Sequence, residues 1–144
     1  MTALEHFGFA PGDVYLYEFD TAAGFRVNLH ASTCVAVDHR PVARTATLRF
    51  ALDTLGEDLH PDTLVAVLSF DEVEGFAVEA DAEPAQNLPH PTVRGQVTDL
   101  NAHDGHVELA LLDEVVTFRA RRVTCTIETL ASLTRPTGAR SMAT

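Results

Sequence analysis

A chain of 144 residues, 46% of them hydrophobic, is long enough for one domain with a real core and short for two. It carries 21 acidic residues against 10 basic ones, every one of the latter arginine, for a net charge of -11. That balance argues against non-specific nucleic-acid binding and against docking on an anionic membrane, because both need clustered cations.

No run approaches the roughly 18 apolar residues of a membrane-spanning helix. Met1 to Gly12 has neither the basic flank nor the apolar run of a secretory signal, so a complete product of this sequence is expected to be cytoplasmic. Cys34 and Cys125 both fall in strand-like runs and read as buried thiols rather than a disulfide.

In chain order, alternation with a period of two recurs, and sustained helical periodicity does not. Val14 to Phe19 reads as a two-faced strand, with Tyr15, Tyr17 and Phe19 opposing Val14 and Leu16. Ala22-Ala23-Gly24 reads as a turn. Phe25, Val27 and Leu29 then share one face, against Arg26, Asn28 and His30. Asp38-His39-Arg40-Pro41 carries turn chemistry. In the next run Ala46, Leu48, Phe50 and Leu52 oppose Thr45, Thr47 and Arg49, as in a half-buried strand.

Leu55 to Thr63, with Gly56 and Pro61, is expected to be a loop or a single helical turn. Leu64 to Phe70 is apolar on both faces, which predicts a strand covered on both sides. Glu83 to Pro91 holds three prolines and reads as a surface connection. Asp104-Gly105 predicts a hairpin between Val93–Leu100 and His106–Leu112. Val116, Phe118 and Ala120 lie on even positions, but Val123, Cys125 and Ile127 lie on odd ones. A one-residue slip would expose the second set, so the chain must bulge or bend near Arg121-Arg122.

About nine or ten short strands at this spacing predict an all-β, mainly antiparallel fold: a β-sandwich, with a flattened β-barrel as the alternative. Residues 1–133 are expected to form a single β domain. Residues 134–144 read as a flexible tail, after a short helix over Glu128–Leu133.

The segments Leu68-Ser-Phe-Asp-Glu-Val-Glu-Gly-Phe-Ala-Val78, His106-Val-Glu-Leu109 and Val116-Thr-Phe-Arg-Ala-Arg-Arg-Val-Thr-Cys-Thr-Ile127 resemble small β-sandwich bacterial proteins. Many of those are immunity proteins of polymorphic toxin systems. The resemblance implies a non-enzymatic protein that binds and blocks a partner, and it transfers no functional residue.

Charge is unevenly placed. Between Phe50 and Val93 stand ten acids and no arginine, so this third of the chain holds nearly all the net charge. Within it, Asp71, Glu72 and Glu74 are followed by Glu79, Asp81 and Glu83 at every second residue, which on a continuing strand share one face. These six are the candidate partner-binding residues, suited to steering a basic protein. The plain alternative is a solubilising face. Arg119, Arg121 and Arg122 form the one basic cluster, and the ordinary expectation is that they pair with acidic strands of this same domain.

The seven histidines raise a metal reading, with His103-Asp104-Gly105-His106 at one hairpin tip, but zinc needs three or four converging ligands. A pocket of His30, Cys34, His39 and His103 is the enzymatic or ligand-binding alternative, and it requires those side chains to meet. No nucleophile elbow around Ser32, Ser69 or Ser132 and no phosphate-cradling glycine loop is present. The sequence therefore favours a non-catalytic protein-binding domain without cofactor or metal. A homo-oligomer or a structural subunit of a larger assembly stays open through edge-strand pairing.

Overall fold

The computed structural model describes residues 4–12, 14–52, 62–80, 95–112 and 114–129. Eleven strands are found there: β1 (Glu5–Phe7), β2 (Glu18–Asp20), β3 (Arg26–Asn28), β4 (Thr33–Arg40), β5 (Thr45–Ala51), β6 (Leu64–Asp71), β7 (Glu74–Ala80), β8 (Gly95–His103), β9 (His106–Leu111), β10 (Glu114–Arg119) and β11 (Arg122–Thr129). Nine form one sheet in the order β1-β11-β6-β5-β4-β8-β9-β10-β7, and β2 and β3 form a separate hairpin. Every strand pairing is antiparallel except β1 with β11. The sheet does not close, because β1 and β7 remain its edges. The fold is all-β and mainly antiparallel, consistent with a β-sandwich or a flattened barrel that does not close.

The period-two pattern explains which way each strand faces. Ala46, Leu48 and Phe50 on β5, Ala66, Leu68 and Phe70 on β6, Val107, Leu109 and Leu111 on β9, and Val116 and Phe118 on β10 all join one core. β4 and β8 share only two register pairs, Thr33 with Gln96 and Cys34 with Gly95. Around this thin joint the sheet folds over, and Phe70 meets Phe118 edge to face with ring centroids 4.9 Å apart. As expected, β6 is buried on both faces: Val65 and Val67 are covered as well as the core-facing set.

The phase change near Arg121-Arg122 is a corner. β6 passes into β7 through Glu72 and Val73, while β10 passes into β11 through Ala120 and Arg121. Because β6 pairs with β11 and β7 with β10, the two connections turn the corner side by side. Asp71 lies opposite Arg122 before the bend and Glu74 opposite Arg119 after it. Glu72 takes a left-handed conformation, φ 57°, to make the turn. The backbone N–H of Arg121 donates to the Asp71 carbonyl at 3.1 Å.

The hairpin expected at Asp104-Gly105 is present, with φ of 52° and 83°, the paired positive values of a type I′ turn. Its tip is anchored by the Ala120 N–H, which donates to the Gly105 carbonyl at 2.9 Å.

Four local expectations need correction. Val14 to Phe19 is not one strand: Glu18 donates its N–H to the Tyr15 carbonyl at 3.0 Å, so the chain doubles back and buries Leu16. The stretch Phe25 to His30 yields only a three-residue strand, because Asn28 caps a 3₁₀ turn at Leu29–Ala31 through its side-chain oxygen. Asp38, His39 and Arg40 belong to β4, and the turn runs from Pro41 to Arg44, where Pro41 ends the ladder. Glu128 and Thr129 are in β11, paired with Val65 and Leu64, rather than opening a helix. The expectations for 55–61, 83–91 and 130–144 lie outside the described residues.

Candidate functional site

Two concave surfaces adjoin the Asp104-Gly105 tip. The first is a cleft of about 550 Å³ at the corner, lined by Arg44, Glu72, Glu74, His103, His106, Arg119 and Arg121 among others. It contains two of the six acids expected to bind a partner, with Asp71 beside them. Arg44 reaches Glu74 at 2.8 Å, Arg121 reaches Glu72 at 3.7 Å, and Arg122 spans Asp71 at 3.7 Å and Glu72 at 3.2 Å. Three arginines thus face three carboxylates, and this part of the acidic segment is locally balanced. The side chains are 35–62% exposed, so each pair contributes about 0–1 kcal/mol.

Glu79 stands apart from the corner on edge strand β7, exposed and without an ion pair among the described residues. Val78 shares a face with the half-buried Phe76 but remains 43% exposed, because an edge strand has a neighbour on one side only. Asp81 and Glu83 lie outside the described residues. Arg119 is exposed and makes no ion pair among the described residues, although the register sets it between Glu74 and His106.

The second surface is a groove of about 600 Å³ between the N-terminal segment, the turn at 14–18 and β8. Its apolar floor includes the buried Leu4, Leu16 and Leu100. Tyr15, 75% exposed, and Tyr17 stand in its wall, and Glu18, Asp99 and Asp104 supply carboxylates. Among the described residues Arg26 is the single arginine of the lining; it donates to Glu18 at 3.0 Å and to Asp20 at 3.1 Å. Asp99 is held otherwise, accepting from the Leu100 N–H at 2.9 Å and from Asn101 Nδ2 at 3.1 Å.

The Tyr17 hydroxyl lies 3.0 Å from His30 Nδ1, and burial, then Asp99, then Glu18 raise the pKa of its phenol. His6 is largely exposed, yet its ring sits edge-on to Phe9 at 5.2 Å, and that partial burial lowers its pKa.

The four side chains of the alternative pocket do not share either surface. His30 faces Tyr17, His39 stacks on Phe76, Cys34 is fully buried with its thiol 3.6 Å from the Ala36 carbonyl, and His103 pairs with Asp104 at 3.3 Å. Among the described residues no three His, Cys, Asp or Glu side chains gather as a metal site. No helix among them is long and apolar enough to cross a membrane.

The groove was not legible in the sequence, since its acids come from separate segments and none lies in the acid-rich middle third. Compared with known proteins, the chain matches no family model, no curated protein and no solved structure.

Proposed function

We propose that this chain is a non-catalytic protein-binding domain, of inhibitor, immunity or adaptor type, that engages a basic partner through acidic surface on a β-scaffold. The observation that carries the reading is the placement of charge. Ten acids and no arginine fall between Phe50 and Val93, and Glu79 there is exposed on an edge strand with no arginine partner among the described residues. The corner acids Asp71, Glu72 and Glu74 contribute less than their number suggests, because Arg44, Arg121 and Arg122 already balance them. Long-range attraction of this kind mainly accelerates encounter and fades as salt screens it.

The test is capture from source-cell lysate on the intact domain at low salt, followed by stepped salt elution. A basic protein released in a narrow salt window, whose association slows when Glu79, Asp81 and Glu83 become amides, is the expected result. Association that ignores both salt and those substitutions rejects the reading.

A further inference from the structure

We infer that the groove beside β8 seats an arginine side chain of the basic partner, with Asp99 taking the guanidinium and Tyr15 and Tyr17 flanking it. This deepens the proposed function and rests on it, but assigns the recognition to residues outside the acid-rich middle of the chain.

Charge complementarity names the occupant. Of the groove's carboxylates, Glu18 is engaged by Arg26 and Asp104 faces His103. Asp99 has no cation among the described residues. Two N–H donors from its own strand fix its orientation and leave its charge uncompensated, which is a preorganised acceptor. His6, whose pKa burial lowers, adds no positive charge to the wall near neutral pH. An incoming cation is therefore the missing partner.

Shape narrows the choice to arginine. A planar guanidinium stacks on aromatic faces and takes a carboxylate through two parallel N–H groups, whereas a lysine ammonium is a point charge that keeps its water more tightly. Tyr15 offers an exposed ring at the mouth and Tyr17 a second one deeper in. The apolar floor of Leu4, Leu16 and Leu100 suits the methylene stem of such a side chain. At about 600 Å³ the groove lies within the ~300–1,000 Å³ range of binding pockets and has room for the backbone that carries the arginine.

The decisive experiment titrates the isotope-labelled full chain at low salt with an acetylated, amidated Gly-Arg-Gly-Arg-Gly peptide and follows chemical shifts. Saturable shifts at Tyr15, Tyr17, Asp99 and Asn101 are expected, absent with a citrulline peptide of the same length. Asp99→Asn should weaken binding about 10-fold, Tyr15→Ala should weaken it as well, and Asp38→Asn, which removes a carboxylate on β4 outside the groove, should leave it unchanged. Shifts confined to Glu79 and the corner would overturn the groove while leaving a basic partner in place. No shift anywhere would overturn the site. The salt dependence of association with the captured partner judges the broader reading separately.

Discussion

His39 on β4 stacks on Phe76 on β7, ring centroids 4.0 Å apart and planes within 13°, although three strands separate β4 from β7 in the sheet order. Phe76 in turn stacks on Phe118 at 5.8 Å, so a short aromatic column links the free half of β4 to the core where the sheet fails to close. Aromatic contacts of this kind add about 0.5–1.5 kcal/mol beyond the area they bury. Phe76→Ala should cost roughly 2 kcal/mol, less than the ~3–5 of a fully buried phenylalanine. Urea unfolding of Phe76→Ala, His39→Ala and the double variant measures both the loss and the coupling between the rings.

Gly8 has a positive φ of 87°, and a Cβ there would run into the backbone carbonyl oxygen of Cys125. Backbone on β11 cannot swing aside as a flexible side chain does. Gly8→Ala should therefore destabilise by about 1–3 kcal/mol, from the strained φ and the displaced strand together. Gly24→Ala, with a similar φ and open space around it, supplies the control: a smaller loss there isolates the clash.

Both cysteines should resist alkylation in the folded protein. Cys34 is fully buried, and burial pushes the Cys125 thiol up to about 11, so little thiolate forms at pH 8. Iodoacetamide followed by mass spectrometry should show no modification of native protein and two modified residues in denaturant. Rapid labelling of the native chain would contradict the burial of these strands.

His6 makes stability fall on acidification. Its folded pKa is lowered, so between that value and the unfolded one of about 6.5 the unfolded chain binds more protons. Its contribution is fully present above pH 6.5 and is lost as pH drops through the folded pKa. The residue is largely exposed, so the effect is small. The difference in melting temperature between the parent chain and His6→Gln, followed from pH 7.5 to 5, should shift in favour of the variant as pH falls.

Arg122 contacts both Asp71 and Glu72, yet all three side chains are well solvated. Arg122→Ala should cost only about 0.5 kcal/mol at low salt and nothing measurable at 1 M. A loss that persists at high salt would mean that the arginine stem, rather than its charge, supports the corner.

Much of the fold can be read from the residues. Alternation at Ala46–Leu52 and Val107–Leu111 orients β5 and β9, the two-faced apolar run marks central strand β6, and the parity switch after Ala120 locates the corner. Turn positions were less legible. Pro41 displaced the turn from Asp38, and Leu16, apolar in a run that reads as strand, is buried by a reversal instead. The candidate site depends most on what sequence hides. Asp71, Glu72 and Glu74 look like an open acidic patch until the corner brings Arg121 and Arg122 alongside and the β4–β5 turn supplies Arg44. Asp99 looks ordinary until the N-terminal segment and the turn at Tyr15–Glu18 close a wall across from it.

The shared corner also governs how the chain folds. β6 finds its partner β11 only after the whole of β7 to β10 has been made, and β1 must wait for the same late strand. Four of the nine described pairings, β1 with β11, β6 with β11, β7 with β10 and β4 with β8, join strands distant in sequence, which predicts slow folding for the chain length. It also makes the domain indivisible. A fragment ending before Arg122 leaves β6 with an unpaired edge and strips β1 of its only neighbour among the described strands. Neither side of the bend should persist alone, and unfolding should proceed in a single cooperative step.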